Sequence, residues 1–196
     1  MHLSVIFGLR QLAIPLIACC ALVILAQFSY STFHTLAEFF SVFIAIMIFV
    51  VSWQTFRFTH NNFLLLIAIG YFCVGILDLF HILTFPGAFP DMAGQTNTTS
   101  QFWLSARFLE ASTLIAPPLY ASKVVYRPVA FLLVSLVTAA VIYSIFSGLF
   151  PDTYIDGTGL TAFKIYSEYA VICLLLMSIL IINIKESNLN ILIDKL

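Results

Sequence analysis

The stretch FLLLIAIGYFCVGILDLFHILTFPGAF, at residues 63–89, is long and apolar enough to cross a membrane, yet it contains two ionisable side chains. A bilayer-spanning helix needs about 20 mostly apolar residues. Asp78 and His81 lie three positions apart near the end of this stretch, so they share one helix face. Ionisable residues inside such segments are rare and are usually functional. The stretch therefore predicts a membrane helix with a polar site near one end.

The whole chain has the composition of an integral membrane protein. Of its 196 residues, 62% are hydrophobic and only 9% are charged, and the mean hydropathy is +1.07. A soluble domain carries about 25% charged residues, so this chain cannot cover a surface that faces water. It has no basic run of the kind that binds nucleic acid. Its four cysteines lie in apolar runs without CxxC spacing, which argues against a zinc knuckle or a disulfide framework.

Six segments meet the length requirement for a membrane helix, and no soluble domain separates them. We therefore predict an all-α, polytopic membrane helical bundle that forms a single domain over residues 1–196. Helices are required because lipid cannot satisfy free backbone N–H and C=O groups. The predicted spans are residues 11–29, 35–56, 62–85, 101–121, 128–149 and 161–184.

The basic residues of the loops predict the orientation of the bundle. All of them fall on one side: Arg10, Arg57, Lys123, Arg127, Lys185 and Lys195. The opposite loops, at residues 29–33, 86–100 and 151–159, contain no Lys or Arg. By the positive-inside rule, both termini are predicted to be cytoplasmic.

Nine polar or aromatic residues, within the predicted spans or at their border, lie in the outer half of the membrane. They are His34, Glu38, Asp78, His81, Trp103, Arg107, Glu110, Lys164 and Glu168. An isolated ionisable residue at the centre of a span costs about 2.5–3.5 kcal/mol, so we expect these side chains to face one another or a wet cavity. Lys164 and Glu168 are the nearest to a helix end, and we expect them to extend to the interface.

The residue types of this predicted site leave several chemistries open. Imidazoles and carboxylates bind transition metals, with His34, Glu38 and His81 as the candidate ligands, and two histidines could also hold a haem. Arg107 could hold Asp78, Glu110 or the carboxylate of a ligand through paired hydrogen bonds. Trp103 would form a wall of the pocket. A purely structural polar network between helices is a further interpretation.

Three stretches together resemble the bacterial membrane-associated sensor domains, specifically the third type of that series, which are N-terminal sensory modules. They are residues 33–53 (FHTLAEFFSVFIAIMIFVVSW), 63–89 and 99–119 (TSQFWLSARFLEASTLIAPPL). The shared blocks are H-x-L-x-E, L-D-x-x-H-x-L and W-x-x-A-R-x-x-E. The residues that carry them are His34, Leu36, Glu38, Leu77, Asp78, His81, Leu83, Trp103, Ala106, Arg107 and Glu110. The resemblance covers about residues 30–120, and the last two predicted helices match only in general character.

The resemblance implies a sensory input domain in the bacterial inner membrane, joined to a cytoplasmic output domain such as a histidine kinase or a diguanylate cyclase. Any enzymatic activity would then belong to the output domain and not to this chain. The family continues with further helices and a G-H-x-F-K-type block that is absent here, so we expect the chain to be truncated at its C-terminus. The expected partners are the lipid bilayer, a small ligand or metal ion, the output domain and a second copy of the chain.

Two alternatives stay open at this point. One is a redox membrane protein that binds a metal or a haem, and the other is a structural or assembly module. The residues alone do not identify the cofactor, so a transition metal and a haem are both retained.

Overall fold

The computed structural model describes residues 16–87, 96–120 and 125–193, with side chains described as far as residue 184. Within these ranges there are six helices and one pair of short strands. The helices are α1 (Leu16–Phe28), α2 (Tyr30–Thr59), α3 (Asn62–Thr84), α4 (Thr96–Tyr120), α5 (Arg127–Phe146) and α6 (Ala162–Ile193). The strands β1 (Tyr154–Ile155) and β2 (Gly159–Leu160) lie between α5 and α6.

The predicted all-α membrane bundle is confirmed, and the helix bounds lie close to the predicted spans. Four helical segments are long and apolar enough to cross a membrane: Tyr30–Thr59, Asn62–Thr84, Arg127–Phe146 and Ala162–Ile184. α4 is 25 residues long but carries many polar residues, and the described part of α1 is shorter than a span. Residues 11–15 of the first predicted span lie outside the described residues, as do Arg10, Lys123 and Lys195. The count of six spans and the orientation therefore stay predictions, and the two ends of the bundle are called outer and inner after that orientation.

α3 is the central helix of the bundle. It packs against α2 on one side and against α4 on the other, and α5 also contacts it. Half of the residues in the most apolar 18-residue stretch of α3 are buried inside the protein, whereas only 11–17% are buried in the corresponding stretches of the other three candidate spans. α6 packs on α4. Polar side chains on α3 are therefore shielded from lipid by its neighbours, which places the polar site around this helix.

Two glycines let α3 approach its neighbours closely. A Cβ atom at Gly70 would overlap the side chain of Thr113 on α4. A Cβ atom at Gly75 would lie 3.3 Å from the Cβ of Ala45 on α2. Small residues at such crossings are typical of membrane helices, because association in lipid depends on close packing and not on the hydrophobic effect.

α2 and α3 form a tight antiparallel pair at the inner end. His60 adopts a left-handed conformation with φ of 49°, and its N–H donates to the carbonyl of Phe56. Asn61 then caps α3, with its Oδ1 accepting from the Phe63 N–H at 2.9 Å. A side-chain oxygen at this position satisfies one of the free N–H groups of the first helical turn. The short connection therefore keeps α2 and α3 adjacent and antiparallel.

An antiparallel strand pair in the outer loop was not predicted from the sequence. Tyr154 pairs with Leu160 and Ile155 with Gly159, while Gly157 at the turn has a φ of 83°. The Asp156-Gly157 dipeptide is a hairpin signal that could have revealed it. The side chain of Asn97 on α4 anchors this loop, since its Oδ1 accepts from the N–H groups of Thr153 at 2.8 Å and Tyr154 at 3.0 Å.

Candidate functional site

The three residues predicted as metal ligands lie together where α2 and α3 meet near the outer end. His34 and Glu38 are one turn apart on α2, and His81 faces them from α3. One ligand atom from each of the three residues lies within 4.8 Å of the other two. His81 is buried, and the other two are partly buried.

His81 is held in one tautomer by a backbone carbonyl. Its Nδ1 lies 2.9 Å from the oxygen of Thr99 on α4. A carbonyl oxygen can only accept, so we assign the proton of the neutral imidazole to Nδ1, which leaves a lone pair on Nε2. This Nε2 atom is buried and has no hydrogen-bond partner among the described residues. Metal-binding histidines are commonly oriented by such a bond from their second nitrogen.

His34 is held by aromatic contacts. Its ring stacks on Phe85 with a centroid distance of 3.9 Å and an interplanar angle of 6°, and it lies 5.5 Å from the His81 ring. Its Nδ1 is buried without a hydrogen-bond partner among the described residues, as is the hydroxyl of the neighbouring Thr35. Buried polar atoms in proteins are nearly always paired, so these unpaired atoms are exceptions among the described residues.

Arg107 joins α3 and α4 through two carboxylates. Its Nη2 lies 2.7 and 2.8 Å from the two oxygens of Asp78, and its Nη1 donates to Glu110 one turn away on α4. The side chain of Asp78 is only 3% exposed. A buried carboxylate needs such a partner because desolvation of an unpaired charge is very costly. This contact explains why Asp78 is tolerated in an apolar helix.

A cavity of about 200 Å³ lies beside this ion-pair network, between α2, α3 and α4. Asp78, Arg107 and Glu110 form its polar wall, with Ser41 and Tyr71 among the other lining residues. The Nε of Arg107 is buried and has no hydrogen-bond partner among the described residues. Ser41 and Tyr71 were not predicted, since hydroxyl groups in apolar helices are common and give no distinctive pattern.

Trp103, one turn before Arg107 on α4, does not line this cavity and contacts α6 instead. The ammonium of Lys164 on α6 is 3.8 Å from the centroid of the Trp103 ring and 3.2 Å from a carboxylate oxygen of Glu168. The Lys164 side chain is 5% exposed, so the expectation that it extends to the interface was wrong. It turns inward because the Trp103 face and the Glu168 carboxylate both attract a cation. These three residues line a separate cavity of about 290 Å³, which His81 also lines.

Replacing Lys164 with methionine is expected to destabilise the protein only modestly, by about 1–2 kcal/mol. The loss corresponds to one partly desolvated cation–π contact and one weak ion pair. Glu168 is not sealed inside the bundle, because its side chain is 38% exposed. Unfolding of the purified variant by SDS, followed by tryptophan fluorescence, measures this difference. A loss of about 3–5 kcal/mol, as is typical of breaking a buried ion pair, would show that the Lys164 contact is a principal support of the fold.

Two contacts in the site could not have been found from residue types. The Thr99 group that binds His81 is a backbone carbonyl, which every residue possesses. Phe85 is one of 20 phenylalanines in the chain, and only its position after the end of α3 brings it onto His34.

The fold and the buried residues define a class: a multi-pass helical membrane protein with a polar cluster near its outer end. Comparison with protein-family models gives the particular family. The model for MASE3, a membrane-associated sensor domain, matches residues 25–191, and the chain belongs to this family. Comparisons with curated proteins and with solved structures find no match.

The resemblance seen in the sequence is thereby confirmed. It extends further than predicted, since the match includes α5 and most of α6 and does not end near residue 120. The chain is a membrane sensory input domain. This role is consistent with a polar site that lies within the bundle and shows none of the familiar protease or hydrolase motifs.

Proposed function

We propose that this sensory domain detects a divalent transition-metal ion held by His34, Glu38 and His81. The observation that carries the proposal is the pair of buried imidazole nitrogens, on His34 and His81, that lack partners among the described residues beside a carboxylate at ligand distance. Two histidines and one carboxylate form a common three-ligand set that leaves coordination positions open for water or another ligand.

The charge balance of the polar cluster between α2, α3 and α4 also supports a dication. Glu38, Asp78 and Glu110 contribute three negative charges, and Arg107 contributes one positive charge, so the sum is −3 + 1 = −2 when the histidines are neutral. An uncompensated charge is expensive in the low-dielectric interior of a membrane protein. A divalent cation beside Glu38 would bring the sum to zero.

A single ion fits the geometry better than a haem does. A porphyrin between His34 and His81 would need the space between their rings, whose centroids are 5.5 Å apart and whose planes are tilted by 54°. Glu38 lies within reach of both histidines, and Phe85 covers the His34 ring. These neighbours leave a space suited to an ion.

Binding would change the relation between α2 and α3. Zn–N and Zn–O bonds are about 2.0–2.2 Å long, so two ligand atoms on one ion lie at most about 4.4 Å apart. Ligand atoms up to 4.8 Å apart would therefore be drawn together. The ion would shift the population of helix arrangements only by its differential affinity for them.

The signal would leave the domain through α6. His81 lines the same cavity as Lys164 and Glu168 of that helix. α6 is the last described helix and continues from Ala162 to Ile193. In a bacterial inner membrane it would carry the change to a cytoplasmic output domain of the histidine kinase or diguanylate cyclase type.

Metal titration of the purified protein in detergent tests the proposal. We expect one Co²⁺ or Zn²⁺ ion per chain with micromolar or tighter affinity, and His81→Gln and Glu38→Gln are each expected to weaken binding by about 100-fold. The matched control is His60→Asn, because this exposed inner-end histidine has a left-handed backbone that asparagine tolerates. Elemental analysis, calorimetry and the visible spectrum of the Co²⁺ form provide independent measurements.

Three outcomes would contradict the proposal. The proposed metal site would be refuted if the native protein bound no ion, or if the His81→Gln variant bound the ion as tightly as the native protein. A Soret band in the purified protein would favour the haem alternative. Unfolding after treatment with a chelator would favour a structural ion, since a sensor must remain folded and bind the metal again.

A further inference from the structure

A groove at the inner end of the bundle lies far from the histidine site and has a different character. It is a cavity of about 570 Å³ between α2 and α5, lined by Phe49, Trp53, Arg127, Pro128 and Phe131. This volume falls within the range of about 300–1,000 Å³ that is usual for small-molecule sites. Four of its five lining residues are aromatic or proline, so the groove suits an apolar chain.

Arg127 is the only charged residue among those that line the groove. Its guanidinium carbon lies 4.5 Å from the centroid of the Trp53 ring and 4.8 Å from that of Phe56. Among the described residues, the ion pairs involve other cations, and no carboxylate pairs with Arg127. Aromatic rings contact the face of the guanidinium, whereas its N–H donors project from the edge. The rings therefore hold the guanidinium in place, and no hydrogen bond among the described residues occupies its donors.

We propose that this groove binds an anionic phospholipid, with the phosphate on Arg127 and an acyl chain against Phe49 and Phe131. A guanidinium suits phosphate because its planar set of donors can make two parallel hydrogen bonds. Arg127 is the first residue of α5, at the level where lipid headgroups lie. A tryptophan such as Trp53 is also typical of this level. Charge complementarity identifies the headgroup, and the apolar wall identifies the occupant as a lipid and not as a free phosphate ion.

Lipid binding to the purified full chain, measured by native mass spectrometry in detergent, tests this site. Phosphatidylglycerol is expected to bind more tightly than phosphatidylcholine of the same acyl composition. Arg127→Gln should weaken phosphatidylglycerol binding about fivefold, as expected for the loss of one cation near a lipid headgroup. It should weaken phosphatidylcholine less, because the choline cation of that headgroup already offsets the attraction between its phosphate and Arg127. The matched control is Arg57→Gln in the last turn of α2, which removes the same charge outside the groove and should change binding less than twofold.

A second variant tests the groove wall. Phe131→Ala keeps the charge and should weaken both lipids, because it removes apolar contact without changing the headgroup site. Equal binding of the two lipids to the native protein would overturn the proposal, and so would an equal loss in Arg57→Gln and Arg127→Gln. Displacement of the lipid by millimolar glycerol phosphate would identify a soluble phosphate ligand and would also overturn it. The comparison of the two lipids on native protein remains decisive even where a variant fails to fold.

Discussion

Arg107→Met is expected to destabilise the bundle by about 3–5 kcal/mol, the largest effect of any single charge removal in this protein. The substitution would leave Asp78, with its side chain 3% exposed, without a cationic partner among the described residues. Breaking a buried pair by removing one partner costs this much because the remaining charge stays desolvated. SDS-induced unfolding in mixed micelles, followed by tryptophan fluorescence, measures the change.

The double variant Arg107→Met with Asp78→Asn distinguishes an unpaired charge from lost packing. It should recover much of the stability, because the asparagine amide is neutral and costs less to bury. The coupling between the two positions should be at least 1 kcal/mol, and Lys164→Met serves as the matched removal of a cation. If the single and double variants lost equal unfolding free energy, Arg107 would act through packing alone, and Asp78 would not need Arg107 to compensate its charge.

Gly70→Val should cost about 3 kcal/mol, at the upper end of what overpacking usually costs in protein interiors. A Cβ atom at Gly70 would already overlap the side chain of Thr113, so a branched residue would force α3 away from α4. The contact between Arg107 and Asp78 bridges the same two helices. The loss should therefore appear both in the unfolding free energy and in the yield of monodisperse protein.

Thr113, the residue that Gly70 packs against, provides the control for this second prediction. Thr113→Ala alone should have a small effect, and combining it with Gly70→Val should restore part of the stability by making room at the crossing. Gly75→Ala is a milder comparison, since its Cβ would be 3.3 Å from that of Ala45. Native-like stability in Gly70→Val would show that the α3–α4 crossing can open without cost.

These expectations separate two roles within the polar cluster. Arg107 and its carboxylates hold α3 to α4, and their removal should affect folding. His34, Glu38 and His81 join α2 to α3 and leave buried nitrogens without partners among the described residues. Substitutions there should change metal binding more than stability. A division of this kind lets a sensor keep its fold while one helix contact responds to the ligand.

The sequence by itself determined the helical architecture and the pairing of polar residues within each helix. Apolar length predicts helices because lipid satisfies no backbone groups, and the predicted span at residues 62–85 lies within one residue of α3 at each end. Helical spacing places His34 with Glu38, and Asp78 with His81, on shared faces. Local periodicity therefore gave the pairs within each helix, but it did not bring His81 to His34 and Glu38.

Only the tertiary structure decided which faces meet. Local periodicity carries no information on the rotation of one helix relative to another, and this rotation is determined by contacts such as Gly70 with Thr113. The rotation brings His81 onto a carbonyl of α4. It also places Trp103 against Lys164 and outside the cavity that Arg107 lines. Asp78 and His81, adjacent on one face of α3, consequently serve different neighbours: one is bound to Arg107, and the other faces the space between two histidines and a glutamate.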